Sequence, residues 1–167
     1  WGHHLVDRPE NELTGVGYLR GGMHLEHGQF MDGSGALTVH RPDHWVFEGA
    51  AVKEGDSFGG DHTIVGYECD GCEFEMVDGR PVPTHRDGTP RTFVILATAP
   101  ASWPASDVEW YDRWEKGRIG AACMGIYTVP GGGTVFTAST TDWVHGLSGG
   151  DAVVERVTRN VLDRLTR

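Results

Sequence analysis

Between residues 15 and 60 glycine occupies 11 positions, among them Gly15, Gly17, Gly21, Gly22, Gly59 and Gly60. Glycine loses more backbone freedom on folding than any other residue, and inside a helix it costs about 1 kcal/mol against alanine. A stretch interrupted this often has no room for a long helix. It predicts short strands in loops, with Val46-Phe47-Glu48 as the expected strand core, and backbones that approach one another closely. The whole chain of 167 residues carries 25 glycines, about twice the usual share, so the same expectation extends beyond the first third.

From Thr63 the pattern changes. Ile64, Val65 and Tyr67 lead into Asp70-Gly71, and Phe74, Met76 and Val77 lead into Asp78-Gly79. Asp-Gly tolerates the positive φ angles of a two-residue hairpin turn, so the spacing predicts a three-stranded antiparallel ribbon over 63–69, 72–77 and 80–84. Phe93-Val94-Ile95-Leu96-Ala97 is a continuous apolar run, as expected of a central strand covered on both faces. Ser106 with Glu109 forms a capping box ahead of a helix that places Trp110, Tyr111 and Trp114 on one face and stops at Gly117. Two strands follow, at 121–129 and 134–140. Past the polar loop 139–146, Asp151 caps an amphipathic C-terminal helix with Val154, Val157, Val161, Leu162 and Leu165 on its apolar face. Strand, polar loop and helix make half of an α/β unit, in which ligands sit beyond the strand's C-terminal end, although such loops also occur as plain connections. The predicted class is α/β, a mixed sheet with antiparallel hairpins and a C-terminal amphipathic helix.

Length and charge narrow the function. A chain this long folds as one domain, burying roughly 70% of its unfolded surface, and needs no disulfide staples. The net charge of −10 argues against nucleic acid as a partner, and no apolar run is long enough for a membrane span. Three cysteines cannot all pair within one chain, which favours a reducing compartment, the cytoplasm. The opening Trp1-Gly2-His3-His4 reads as the start of a piece cut from a longer chain.

Residues 66–75, GYECDGCEFE, hold the most chemistry. Cys69 and Cys72 have the spacing of a metal clip, but a structural zinc site needs four ligands and Cys123 lies far downstream. A redox pair wants cationic neighbours, whereas Glu68, Asp70, Glu73 and Glu75 surround this one. The preferred reading is two small apolar side chains facing each other across the Asp-Gly turn. That register opposes Glu68 to Glu73, either as a solvated acidic face or as a carboxylate with a raised pKa fit for acid–base work. His24, Glu26 and His27 have ligand-like spacing, with His40 and His44 nearby, but in a glycine-rich loop rather than on a helix. Ser139, Asp142 and His145 offer a serine-type set piecemeal, without a Gly-x-Ser-x-Gly elbow.

Several stretches in order, Glu12-Leu13-Thr14-Gly15-Val16-Gly17-Tyr18, Trp45-Val46-Phe47-Glu48-Gly49, Val65-Gly66-Tyr67-Glu68 and Gly133-Thr134-Val135-Phe136 with Asp142-Trp143 and Arg156 to Leu162, resemble the C-terminal region of the N,N-dimethylformamidase large (beta) subunit family. The resemblance spans nearly the whole chain. It implies hydrolysis of the C–N bond of a small amide, a glutamine-amidotransferase-like domain, and a mononuclear iron held by tyrosines and a glutamate. The family's His-Pro-Glu-Tyr-Trp stretch, which carries the metal-binding glutamate, is absent, and His24-Leu25-Glu26 is not in that context, so the resemblance places the iron ligands outside this chain. It also implies a non-ligand catalytic glutamate, with Glu68 the first candidate and Glu48 the second. The chain departs from the family around 69–91 and 139–150, so the expected substrate is a small amide with no single member of the class assigned. The expected partners are that amide and the remainder of the parent chain, with a homo- or hetero-oligomer possible. The rival expectation is a non-catalytic binding or assembly module that docks a partner through the aromatic helix 107–116 and the acidic ribbon.

Overall fold

A computed structural model describes residues 6–22, 35–102 and 119–166. The predicted aromatic helix with its capping box, and His24, Glu26 and His27, lie outside the described residues. The elements are α1 (Asn11–Thr14), β1 (Gly17–Gly22), β2 (Leu37–Val39), β3 (Ser57–Phe58), β4 (Cys69–Gly71), β5 (Phe74–Val77), β6 (Arg80–Pro83), β7 (Val94–Ser102), β8 (Ile119–Thr128), β9 (Thr134–Thr137), α2 (Trp143–Gly149) and α3 (Ala152–Leu165), with 3-10 turns at Trp45–Phe47 and Gly60–His62.

Five strands form one sheet in the order β3-β2-β7-β8-β9, and β1-β4 and β5-β6 form two-stranded sheets. Every strand pairing among the described residues is antiparallel. The fold is therefore mixed α/β with antiparallel sheets and a C-terminal helix. The apolar run from Phe93 enters β7, the middle strand of the large sheet, as the sequence predicts.

Both faces of that sheet are covered. Along β8, Ala122, Met124 and Ile126 join one core with Val154 and Val157 of α3, while Ala121, Cys123 and Tyr127 join a second with Val16, Cys72, Phe93 and Ile95. This is the alternation of a strand buried on both sides. In β7 the register jumps between Ile95 and Ala97, so Leu96 and Ala97 both turn into the α3 core. Burying Val154 and Val157 completely is worth roughly 1.5–3 kcal/mol each. Asp151 starts α3, its Oδ1 accepting from the Val153 and Val154 amides at 2.9 and 3.0 Å, and its Oδ2 accepts from the Gly59 amide at 3.1 Å. No described helix is long and apolar enough to cross a membrane.

Three expectations need correction. Val46-Phe47-Glu48 is not a strand: the chain makes a 3-10 turn over Trp45–Phe47, started by the His44 ring accepting from the Val46 amide. On α3, Leu162 and Leu165 are exposed at 57% and 39%; Val161 still packs against the core, and Leu162, one residue on, is turned about 100° away from it. The third correction is the largest. Only the second half of the predicted ribbon exists. Asp78 (φ 50°) and Gly79 (φ 80°) form the turn of a β5–β6 hairpin in which Val77 faces Arg80. Asp70-Gly71 is no turn; it lies in β4, which pairs with β1.

The reason is packing at β1, β4 and β8. A Cβ on Gly21 would stand 1.7 Å from the Cys69 carbonyl oxygen, and one on Gly71 would stand 2.1 Å from that of Ala121. Glycine at these positions lets the backbones touch. Cys69 and Cys72 therefore do not face each other: Cys69 packs into the α3 core and Cys72 into the other, in contact with the thiol of Cys123. Nor does Glu73 oppose Glu68. Its carboxylate binds Arg20 at 2.8 Å and also Arg86, and although burial works to raise it, these guanidiniums hold it low.

Candidate active-site cleft

Past β9 the chain turns at Ser139, whose φ of 61° lies in the left-handed region, and runs antiparallel to residues 68–70. The Asp70 amide donates to the Ser139 carbonyl at 2.9 Å and the Thr141 amide to that of Glu68 at 3.0 Å. Side chains brace this strip. Thr140 Oγ1 donates to the Ile64 carbonyl at 2.8 Å and accepts from the Asp142 amide at 3.1 Å, and Asp142 Oδ2 accepts from the Tyr67 amide at 2.5 Å. The strip forms the wall of a cleft of about 310 Å³ lined by Glu68, Asp70, Phe136, Ser139, Thr140 and Thr141 among others.

The electrostatics are one-sided. Among the described residues no Lys, Arg or His lines the cleft. Burial, then the charges of Glu10 and Glu68, push the Asp70 carboxyl up to about 6. Among the described residues no hydrogen bond or salt bridge satisfies the Asp70 or Glu68 carboxylate, whereas Glu10 Oε1 accepts from the Tyr18 amide at 2.9 Å. Ser139 is only 5% exposed, and its hydroxyl has no hydrogen-bond partner among the described residues. Burial, then Asp70, raises the Cys69 thiol, which donates to the Gly22 carbonyl at 3.2 Å; it stays protonated and is no nucleophile.

A family model described as N,N-dimethylformamidase beta subunit-like, C-terminal, matches residues 1–158. The chain belongs to that family. No curated protein matches it. The match takes in every strand, the whole cleft and the first half of α3, and it ties this dimethylformamidase-like chain to a hydrolase subunit.

Of the two glutamates singled out in the sequence, Glu68 lines the cleft and Glu48 does not. Glu48 is exposed beside α3, its carbonyl accepting from Asn160 Nδ2 at 2.8 Å, so the two do not form one site. Ser139, Asp142 and His145 do not make a relay. Asp142 gives an oxygen to Tyr67, His145 Nδ1 stands 4.0 Å from the other, and no hydrogen bond joins Ser139 to His145.

Asp70 is the functional candidate that the turn reading concealed. Its signal is its place two residues after Glu68, because residues i and i+2 of an extended chain point to the same side. Among the described residues no three His, Cys, Asp or Glu side chains converge as a metal-ion group. The cleft as described does not fit the iron that the resemblance implies, and no step below runs through iron.

A second cleft of about 420 Å³ holds His44, Trp45, Thr92, Tyr127 and Arg164. The Arg164 guanidinium sits 4.9 Å over the Trp45 ring, and burial, then Arg164 and Arg41, lower the His44 pKa and keep its ring neutral.

Proposed function

We propose that the chain is the C-terminal portion of an amidohydrolase that cleaves the C–N bond of a small amide, with Glu68 and Asp70 as its acid–base pair. The observation that carries this reading is a carboxyl pushed up to about 6 beside a second carboxylate in a cleft that no described Lys, Arg or His lines. Glu68, ionised, takes a proton from a water as its oxygen attacks the amide carbonyl carbon. Asp70, protonated, donates to the amide nitrogen as the C–N bond breaks, so that the amine leaves neutral and the acyl part leaves as the acid. Transfer of the proton from Glu68 back to Asp70 resets the pair. Acid and base roles fall to two carboxyls because their surroundings differ.

In this reading residues 1–167 form one domain of a longer, cytoplasmic protein, its mixed sheet is a fragment of a glutamine-amidotransferase-like fold, and the iron ligands belong to the rest of the parent chain. The test is turnover by the full-length protein. Glu68→Gln and Asp70→Asn are each expected to lower kcat/KM by about 10²–10⁴-fold. Unchanged turnover in Glu68→Gln removes Glu68 from the mechanism.

The assembly reading is favoured by one observation: Val144 and Leu147 on α2 and Leu162 and Leu165 on α3 are apolar and exposed. It predicts that Leu162→Lys changes the oligomeric state of the full-length protein while kcat stays the same.

A further inference from the structure

The larger cleft, of about 420 Å³, is bordered by the last turn of α3, the 3-10 turn at Trp45–Phe47 and strands β7, β8 and β9. It shares no lining residue with the cleft of Glu68 and Asp70, and among the described residues no Asp or Glu lines it. Its hydroxyls are used: Thr92 Oγ1 donates to the Thr128 carbonyl at 2.8 Å, and the Thr128 and Thr134 hydroxyls pair at 3.0 Å. Three donors are left over. His44 Nδ1 accepts from the Val46 amide at 3.3 Å, so the proton of the neutral ring sits on Nε2. That N–H, the Trp45 indole N–H and the Arg164 guanidinium meet no acceptor among the described residues, and each keeps surface that a ligand can reach. Stacking on Trp45 uses the flat face of the guanidinium and leaves its edge, where the N–H groups lie, free; it also fixes the side chain before a ligand arrives. The charges that reach His44 are those of Arg164 and Arg41, both positive. The chain's net charge of −10 repels anions at a distance, but salt screens that repulsion beyond about 8 Å, and Arg164 acts at contact.

We propose that this second cleft is a binding site for a small monocarboxylate with a short apolar tail. The carboxylate lies against the edge of the Arg164 guanidinium, with the N–H groups of His44 and Trp45 as further donors, and the tail rests on Val94 and Ile126. A flat carboxylate matches the paired N–H groups of a guanidinium, which is the geometric reason for the class. The volume stands at the small end of ligand sites, so the tail is short. Inorganic phosphate brings charge but no tail for the apolar wall, and an alkylammonium brings the tail with the wrong charge.

The inference is independent of the acid–base reading, and binding is measured without turnover. The experiment is calorimetric titration of the full-length protein with sodium butyrate, and with sodium phosphate and butylammonium chloride at matched ionic strength. Butyrate is expected to bind saturably, phosphate several-fold more weakly, and butylammonium not at all. Arg164→Gln is expected to weaken butyrate at least about tenfold, the loss of a charge-assisted pair. Arg164→Lys, which keeps the charge without the fork, is expected to fall between that variant and the wild type. Arg164 is exposed on the last turn of α3, so both variants are expected to fold. Trp45→Phe, which keeps an aromatic face under the guanidinium and removes the indole N–H, is expected to weaken butyrate a few-fold. Butyrate that binds Arg164→Gln as well as the wild type sits elsewhere in the parent chain and overturns the inference. Phosphate binding that matches butyrate, or no butyrate binding at all, overturns it too.

Discussion

Asp70-Gly71 and Asp78-Gly79 are the same dipeptide in neighbouring parts of the chain, and each glycine is there for a different reason. At Gly79 the requirement is angular: φ is 80°, and a Cβ would meet nothing within 4 Å. At Gly71 it is spatial: a Cβ would meet the Ala121 and Arg20 carbonyl oxygens at 2.1 and 2.5 Å. The aspartates differ in parallel. Asp78 is exposed at a hairpin tip, while Asp70 is partly buried among other acids, where its charge costs free energy. A dipeptide's local preference thus decides its structure only where nothing else touches it.

The contrast breaks most sharply at Gly71. Gly71→Ala is expected to cost at least about 3 kcal/mol, since the methyl group meets backbone that cannot move aside, and chemical denaturation would record the loss. A cost below about 1 kcal/mol would mean that β4 does not rest on β8. Asp70→Asn sharpens the comparison in the opposite direction. The fold keeps the proton of Asp70 up to about pH 6, whereas the unfolded chain releases it near 3.8. Wild-type stability contributed by this group is therefore whole below about pH 4, falls as the pH rises to 6, and stays reduced above. The variant is expected to be more stable by about 2 kcal/mol at pH 7, with no difference below about pH 4, while losing activity. Gly79→Ala comes next, at about 1 kcal/mol, the cost of a left-handed residue with a free side chain. Asp78→Asn is expected to change stability by less than about 0.5 kcal/mol, since asparagine suits the same turn.

Elements whose local signals agreed with their surroundings were readable from the residues. The β5–β6 turn, the central β7 and the capped start of α3 are each set by a turn dipeptide, an apolar run or a capping aspartate. Glu68 was readable as a candidate, and it lines the cleft. Asp70 was not readable in its present role, because that depends on β1 and β8 pressing on Gly71 and on residues 139–141 folding back onto 68–70. The strand expected at Val46 gave way to a 3-10 turn for a similar reason: Asn160 of α3 donates to the carbonyls of Val46 and Glu48, a contact made across more than a hundred residues. Helical period showed which residues of α3 share a stripe. It could not show how narrow the covered stripe is, and so Leu162 and Leu165 emerge into solvent although Val161 packs on the core.

The strip joining 68–70 to 139–141 has a kinetic consequence. Its two flanks belong to different sheets, and among the described residues two backbone hydrogen bonds and one from Thr141 Oγ1 to the Glu68 carbonyl at 3.3 Å, with the side chains of Thr140 and Asp142 alongside, hold them together. A local opening there separates Glu68 from Ser139 while both sheets stay folded. The amide protons of Asp70 and Thr141 would then exchange with solvent at one shared rate, and an occupant bridging the two flanks would slow both together.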